Sequence, residues 1–324
     1  MRILIVKTSS LGDVVHMLPA ITDAARMIPD LTVDWVVEES FQAVPNWHAV
    51  VDKVIPVAIR RWRKSFFSSQ TRREIKSTKQ NIRSTEYDAI IDSQGLFKSL
   101  VVAHWAKGKR FGYDRKSARE PLATWAYDQR INVSRDLHAI ERNRQITAKS
   151  LGYFGEELAL DYGLNNLTDL ANTEAIKKID LPEDYIVGLH GTSRPDKEWP
   201  EENWNSLAQH LDEKNTPLIL PWGNQREHDR AKRITATGKA IVLPKFDLDS
   251  LAHIIKRSKA VVGMDTGLMH IAAALDKVGV AIYPVTRAEL TGVTSSRDEL
   301  RIVNLEGQVT SDEIIQYLNT LLSS

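Results

Sequence analysis

The sequence predicts an α/β protein made of two doubly wound, Rossmann-like domains. Short apolar runs alternate with amphipathic segments of helical spacing in both halves of the chain, the pattern of a parallel sheet with helices on both faces. The alternation weakens between about residue 115 and residue 173 and then resumes. At 324 residues the chain is long for a single hydrophobic core. The expected division is a domain at 1–165 and a second at 166–324, with ligands at the carboxyl ends of the strands in a cleft between the halves.

In chain order, Ile3–Lys7 is an apolar run of the kind a strand buried on both faces needs. After Thr8-Ser9-Ser10-Leu11-Gly12-Asp13, the apolar spacing from Val14 to Met27 predicts a helix. Val33–Val37, Val54–Val57 and Ala89–Asp92 read as further strands, with a basic stretch, helical in part, between the last two. Leu137–Leu151 reads as helix, and Tyr162–Leu170 as polar, turn-rich chain. In the second half Tyr185–His190, Pro217–Leu220, Ala240–Leu243, Ala260–Gly263 and Gly279–Tyr283 read as five strands. Glu201–Leu211, Arg226–Arg233 and Leu248–Arg257 read as helices between them, and Ser311–Leu322 as a last amphipathic helix.

Composition narrows the class. With 42% hydrophobic and 26% charged residues the chain is not a disordered one. Cysteine is absent, which removes disulfides, thiolate metal sites and a cysteine nucleophile. No apolar run approaches the roughly 18 residues of a membrane span, and the first strand starts too early for a secretory signal, so a cytoplasmic location is expected. The net charge of +1 is unevenly spread. Arg60, Arg61, Arg63, Lys64, Arg72, Arg73, Lys76, Lys79 and Arg83 stand in one segment against a single acid, Glu74. That suggests a local anionic partner and not general nucleic-acid binding.

Four stretches carry candidate chemistry. In Lys7–Asp13, Gly12 lets a ligand approach the backbone, and Asp13 sits where its carboxylate reaches either a bound hydroxyl or the amides of the helix start; catalysis and capping both remain open there. In His190–Pro200, small hydroxyl residues (Thr192, Ser193), a glycine and Lys197 follow a strand, as a phosphate cradle requires, or as a plain loop with a solvated lysine also would. In Val262–His270, Asp265-Thr266-Gly267 leads from strand to helix and would offer backbone N–H groups to a diphosphate, with His270 one turn further along the same face. Asp265 suits the loop or a sugar hydroxyl better than a phosphate, because like charges repel. Glu227 follows a strand and turn, where a carboxylate can take a ribose diol or be a surface acid. Finally, Arg60, Arg61, Arg63 and Lys64, unpaired with nearby acids in sequence and followed by Phe66-Phe67, suit carboxylates, phosphates and a lipid headgroup region, and Arg119 could join them. Asp247-Leu248-Asp249 reads as a helix cap and not as a metal site. No dinucleotide fingerprint and no complete P-loop is present, which disfavours a dehydrogenase.

Taken together, Arg2-Ile3-Leu4-Ile5-Val6-Lys7-Thr8-Ser9-Ser10-Leu11-Gly12-Asp13, Ile59-Arg60-Arg61-Trp62-Arg63-Lys64, Ala118-Arg119-Glu120-Pro121-Leu122, Lys197-Glu198-Trp199-Pro200-Glu201-Glu202 and Asp265-Thr266-Gly267-Leu268 resemble the ADP-heptose:lipopolysaccharide heptosyltransferase family, in its type I branch, over nearly the whole chain. The resemblance implies the GT-B glycosyltransferase fold, with the final helix packing back on the first domain. It implies an ADP-L-glycero-β-D-manno-heptose donor, a Kdo2-lipid A acceptor, inverting transfer in lipopolysaccharide inner-core synthesis, no cofactor or metal, and peripheral association with the cytoplasmic face of the inner membrane. By match of position it makes Asp13 the catalytic base. Thr192, Ser193, Lys197, Glu227, Phe246, Asp265, Thr266, Gly267, Leu268 and His270 would be donor ligands, and Arg60, Arg61, Arg63, Lys64 and Arg119 acceptor ligands. Ser193 stands where the family pattern has Thr, and Phe246 where it has Met near the adenine. The alternatives are a heptosyltransferase for a later inner-core acceptor, a nucleotide-sugar epimerase on the same fold, and a nonenzymatic binder of acidic lipid.

Overall fold

The computed structural model describes residues 1–154, 158–167, 179–192, 194–237, 240–296 and 301–323. The chain divides into two compact units, Met1–Asn166 and Leu167–Ser324.

In the first unit the strands are β1 (Arg2–Val6), β2 (Thr32–Glu38), β3 (Val51–Val57), β4 (Glu86–Asp92), β5 (Lys107–Tyr113) and β6 (Gln129–Ile131). They form one sheet in the order β3-β2-β1-β4-β5-β6, with every neighbouring pair parallel. Ile3, Leu4, Ile5 and Val6 are fully buried, as an interior strand covered on both faces must be. The helix expected over Val14–Met27 is two helices, Leu11–Val15 and Leu18–Met27. Pro19 explains the break. It has no N–H to continue the ladder, and it sits in the first turn of the second helix, where no donor is needed. The sequence reading missed β5 and β6. Lys107-Gly108-Lys109-Arg110 is polar, and burial begins only near Phe111; β6 is a three-residue, largely exposed edge strand.

The second unit holds β7 (Ile186–Leu189), β8 (Leu218–Leu220), β9 (Ala240–Val242), β10 (Ala260–Met264), β11 (Gly279–Tyr283) and β12 (Ile302–Glu306). Their order is β12-β11-β10-β7-β8-β9, again all parallel. Successive strand residues point to opposite faces. Ile186, Leu218, Leu220, Val262 and Ile282 therefore join one core with Trp204, Leu207 and Ile234. Val187, Leu189, Ile219, Val261 and Ala281 join another with Ile254, Ile255 and Met269. The last helix, Ser311–Ser323, places Ile314 and Leu318 in the first of these cores and packs on the helix Glu201–Glu213 and on β11. Its apolar stripe thus helps cover its own sheet. β12 was also missed, being a partly buried edge strand beyond the last clear apolar run.

Each sheet reverses its winding beside its first strand. In the first unit β1 lies between β2 and β4; in the second β7 lies between β8 and β10. The crevices beyond the carboxyl ends of β1/β4 and of β7/β10 are the topological switch points, where open α/β sheets bind ligands.

Candidate active site

At the first switch point the loops after β1 and β4 are laced together. The Gln94 side chain accepts from the Thr8 and Ser9 amides at 3.0 and 3.2 Å and donates to the Ser9 carbonyl at 2.6 Å. Below it, the buried Lys7 ammonium donates to the Ser93 carbonyl at 3.0 Å, and burial lowers its pKa. Buried Asp92 shapes the turn by accepting from the Gln94 amide at 2.9 Å and from the Tyr127 hydroxyl at 2.7 Å. Tyr127 fits only because residue 112 is glycine, since a Cβ there would lie 2.3 Å from its ring. Above this frame, half-buried Asp13 accepts from the Ser10 amide at 2.7 Å and from its hydroxyl at 2.9 Å, both through Oδ2. The capping role left open by the sequence is therefore formed. It uses one carboxylate oxygen, so it does not exclude a second role for the group. Lys98, in the first turn of the helix Phe97–Ala103 that follows the β4 loop, donates to Ser9 Oγ at 2.8 Å. Burial lowers its pKa first; the charges of Glu38, Arg60, Asp13 and Arg63 all act on it. Arg119 is exposed, and its backbone lies against the Gly95 turn of the same loop.

The basic segment separates into unlike residues. Arg60, Arg61, Arg63 and Lys64 lie on the helix Ile59–Lys64, after the carboxyl end of β3. Arg61 is not unpaired, which corrects the sequence reading: it bridges Glu39 at 3.0 Å and Glu74 at 2.8 Å. Glu74 also accepts from the Trp62 indole at 2.9 Å, and hydrogen bonds from Trp62 and Arg61 hold its carboxyl below the usual range. Arg61 thus clamps the helix to its surroundings. The Arg60 guanidinium lies 5.5 Å from the centre of the Phe41 ring, in cation–π range. Arg63 and Lys64 are exposed, with no ion-pair partner among the described residues. Glu38, Glu39, Ser40, Arg60, Arg61 and Lys64 line a cavity of about 280 Å³.

In the second unit the loops after β7 and β10 meet. Lys197 Nζ lies 2.6 Å from Asp265 Oδ2, and each side chain is only 15% exposed. Thr286, after β11, donates to the same oxygen at 2.9 Å. Asp265 therefore ties these loops together, one of the two roles the sequence left open for it. Thr266 stands at the N-cap of the helix Gly267–Ala274 in extended backbone without a side-chain cap bond; the Met269 amide donates to the Thr266 carbonyl at 3.0 Å, which leaves the earlier amides of that turn, at Gly267 and Leu268, for another acceptor. Leu268 is half-buried against the core, and His270 is buried one turn in. Thr192 is 5% exposed, and its Oγ1 has no hydrogen-bond partner among the described residues; a buried hydroxyl left this way suits a ligand. Ser193 lies outside the described residues. Glu227 accepts from the Gly223 amide and the Asn224 side chain, each at 2.7 Å. Its carboxyl rests on Gly191, where a Cβ would come within 2.8 Å of it, so it faces the loop after β7. Phe246 is half-buried against the core beyond β9. Asp247 accepts from the Ser250 amide at 2.8 Å and is the cap the sequence predicted.

Gln94, Lys98 and Thr286 were missed by sequence reasoning. The first two follow Asp92 closely, so a strand running into Ser93-Gln94-Gly95 was the available signal; Thr286 carries none.

The glycosyltransferase family 9 (heptosyltransferase) model matches residues 75–314. The lipopolysaccharide heptosyltransferase 1 of Escherichia coli strain K12 is 46% identical over 297 residues, 90% of each chain. The protein of that name from Pseudomonas aeruginosa is 44% identical over 294 residues, 90% of this chain and 81% of the relative. Among solved structures, the E. coli heptosyltransferase WaaC with ADP superposes with a TM-score of 0.89 at 40% identity, over 99% of this chain and 100% of that one. The two Rossmann-like units and these matches agree: the chain belongs to glycosyltransferase family 9, the heptosyltransferases, and is a glycosyltransferase of the GT-B fold class.

Proposed function

We propose that this enzyme moves L-glycero-D-manno-heptose from ADP-L-glycero-β-D-manno-heptose to Kdo2-lipid A in building the lipopolysaccharide inner core, by an inverting single displacement that needs no metal. The observation that carries the reading is the junction of the two second-unit loops at Lys197 and Asp265 (2.6 Å). The same two loops carry the helix start at Thr266, which lacks a side-chain cap bond, and the unpartnered hydroxyl of Thr192. A diphosphate needs that combination of a point charge, free amides and a hydroxyl. Glu227 takes the ribose diol, Phe246 lies against the adenine, and Ser193, Gly267, Leu268 and His270 complete the donor site. The relative solved with ADP supports the nucleotide.

Asp13 accepts the proton of a Kdo hydroxyl as that oxygen attacks the anomeric carbon, and ADP leaves from the opposite face. Lys197 and the Thr266 and Gly267 amides meet the charge growing on the diphosphate, the task a metal performs elsewhere. In the first unit Arg60, Arg63, Lys64 and Arg119 bind the acceptor's carboxylates and phosphates, while Arg61 holds their helix. Phe66 and Phe67 follow β3, and Leu122 and Trp125 follow β5. These loops share the carboxyl edge of a parallel sheet, and Phe67 and Leu122 are 84% and 79% exposed. Large exposed apolar side chains interleaved with bases support a peripheral hold on the inner membrane's cytoplasmic face. No helix among the described residues is long and apolar enough to cross it.

The test is transfer from ADP-heptose to purified Kdo2-lipid A with EDTA present. Heptosylated product at an undiminished rate is expected. A requirement for added divalent cation would overturn the metal-independent mechanism, and transfer only to an already heptosylated acceptor would move the enzyme to a later step.

A further inference from the structure

The loop after β7 begins at His190 and ends at Trp199, and both ends are held by one side chain from another element. Arg230 lies on the helix Gln225–Ile234 and is 3% exposed. Its Nη1 donates to the His190 carbonyl at 3.0 Å, and its Nη2 donates to the Trp199 carbonyl. The Glu198 and Glu201 carboxylates lie 3.3 and 3.7 Å from its Nε. A guanidinium is a rigid planar fork, so these two bonds set the distance between the ends of the loop. Both ends are themselves fixed. His190 is fully buried at the end of β7, and the Trp199 indole donates to the Val309 carbonyl at 2.7 Å.

The same helix reaches the loop a second time. Glu227 lies three residues before Arg230 on the same helical face, and its carboxyl rests on Gly191. One helix thus touches, at two points, a loop that also carries Thr192 and delivers Lys197 to Asp265. A buried guanidinium is a costly way to fill a core that a Leu or Met would fill as well. What it supplies here, and an apolar residue would not, is a fixed span between two carbonyls.

We infer that Arg230 is a positioning residue for donor binding: by bracing the His190 and Trp199 carbonyls it holds Thr192 and Lys197 in register with Asp265, and through its helix it couples that register to Glu227. The inference rests on the reading of this loop as the donor-diphosphate site. Lysine cannot span both carbonyls but keeps the charge beside Glu198, so Arg230→Lys is the decisive variant, with Arg230→Ala beside it. Donor and acceptor KM, kcat and the thermal shift induced by ADP are measured for both variants and for wild type. In Arg230→Lys, donor KM is expected to rise tenfold or more and the ADP-induced shift to collapse, while acceptor KM stays within twofold. Millimolar ethylguanidinium should restore part of the donor affinity of Arg230→Ala. A lower melting temperature with unchanged donor KM and unchanged ADP shift would overturn the inference and leave Arg230 a stability residue. If ADP fails to stabilise the wild type, the donor reading itself falls, an outcome distinct from a variant that behaves like wild type. If Arg230→Ala does not fold, Arg230→Lys alone decides.

Discussion

His48 makes the first unit sensitive to acid, and the structure sets the size of the effect. Its ring is 3% exposed. Val50 N–H donates to Nδ1 at 3.2 Å, which places the ring proton on Nε2. That proton is donated to Thr22 Oγ1 at 3.0 Å, and the Thr22 hydroxyl passes the chain on to the Leu18 carbonyl at 3.3 Å. Gly163 closes the site, since a Cβ there would lie 2.3 Å from Nε2. Every hydrogen bond is made by the neutral ring, and a second proton on Nδ1 would meet the Val50 N–H head-on. Burial accordingly lowers the pKa from 6.5 to about 4, with the Asp161 charge opposing it. The folded state thus refuses a proton that the unfolded chain accepts below 6.5. Stability from this site is complete above that pH, falls between 6.5 and about 4, and is level below. At about 1.4 kcal/mol per pH unit the full loss is roughly 3 kcal/mol, of which roughly 2 is reached by pH 5. The perturbation is His48→Gln, which keeps one donor and one acceptor but does not titrate. The assay is hydrogen exchange of the β1 and β2 amides at pH 7.5 and 5.0, corrected for intrinsic rates. These strands lie in the first unit, so His190, which burial and then the Arg230 charge also lower to about 4 in the second, does not confuse it. The stability difference between wild type and variant should shift by roughly 2 kcal/mol between the two pH values. Parallel losses in the two proteins would refute the assignment.

Three further outcomes are expected. Asp13→Asn keeps an oxygen for the Ser10 amide and hydroxyl, so ADP-heptose KM should stay within about twofold while kcat falls by about 100- to 10,000-fold; near-normal turnover in steady-state kinetics would remove Asp13 from the base role. Lys197→Met leaves the mostly buried Asp265 carboxylate with the Thr286 hydroxyl but without a cation, so both melting temperature and activity should drop. Adding Asp265→Asn should recover stability, by a coupling of about 0.5–3 kcal/mol, without recovering transfer, and additive losses by thermal melting would contradict the clasp. Arg63→Ala should raise acceptor KM with an unchanged melting temperature, whereas Arg61→Ala should lower the melting temperature as it releases the helix from Glu39 and Glu74; identical behaviour of the two variants would show that Arg61 is an acceptor ligand like its neighbours.

How much of this was legible in the sequence depends on the range over which each feature is encoded. The central strands were legible because β1, β7, β10 and the Ala89–Ile91 stretch of β4 are buried on both faces and read as apolar runs. The loops after β1, β7 and β10 were legible because each follows such a run directly, so strand, turn and candidate ligand fall within a dozen residues. β5, β6 and β12 were not, since a strand that is polar at one end or lies at an edge loses that pattern. The capping and base readings of Asp13 could not be parted by sequence because one geometry serves both: a carboxylate that reaches the Ser10 amide already stands at the switch point.

Pairing across the chain was the harder limit. Arg60, Arg61, Arg63 and Lys64 look alike in sequence, yet Arg61 is neutralised by Glu39 on one side and by Glu74 on the other, and no local count of charges reveals which of four bases the fold will claim. Arg230 is a different case. In Gln-Arg-Glu-His-Asp-Arg-Ala-Lys-Arg-Ile it passes for one more solvated base. Helical spacing nonetheless sets it next to Ala231 and four residues before Ile234, the two apolar positions that mark the buried face. A cation on the apolar stripe must find carbonyls or carboxylates there. The periodicity that places the core thus also marks this base as a brace, and what it braces is decided by which carbonyls the β7 loop brings to it.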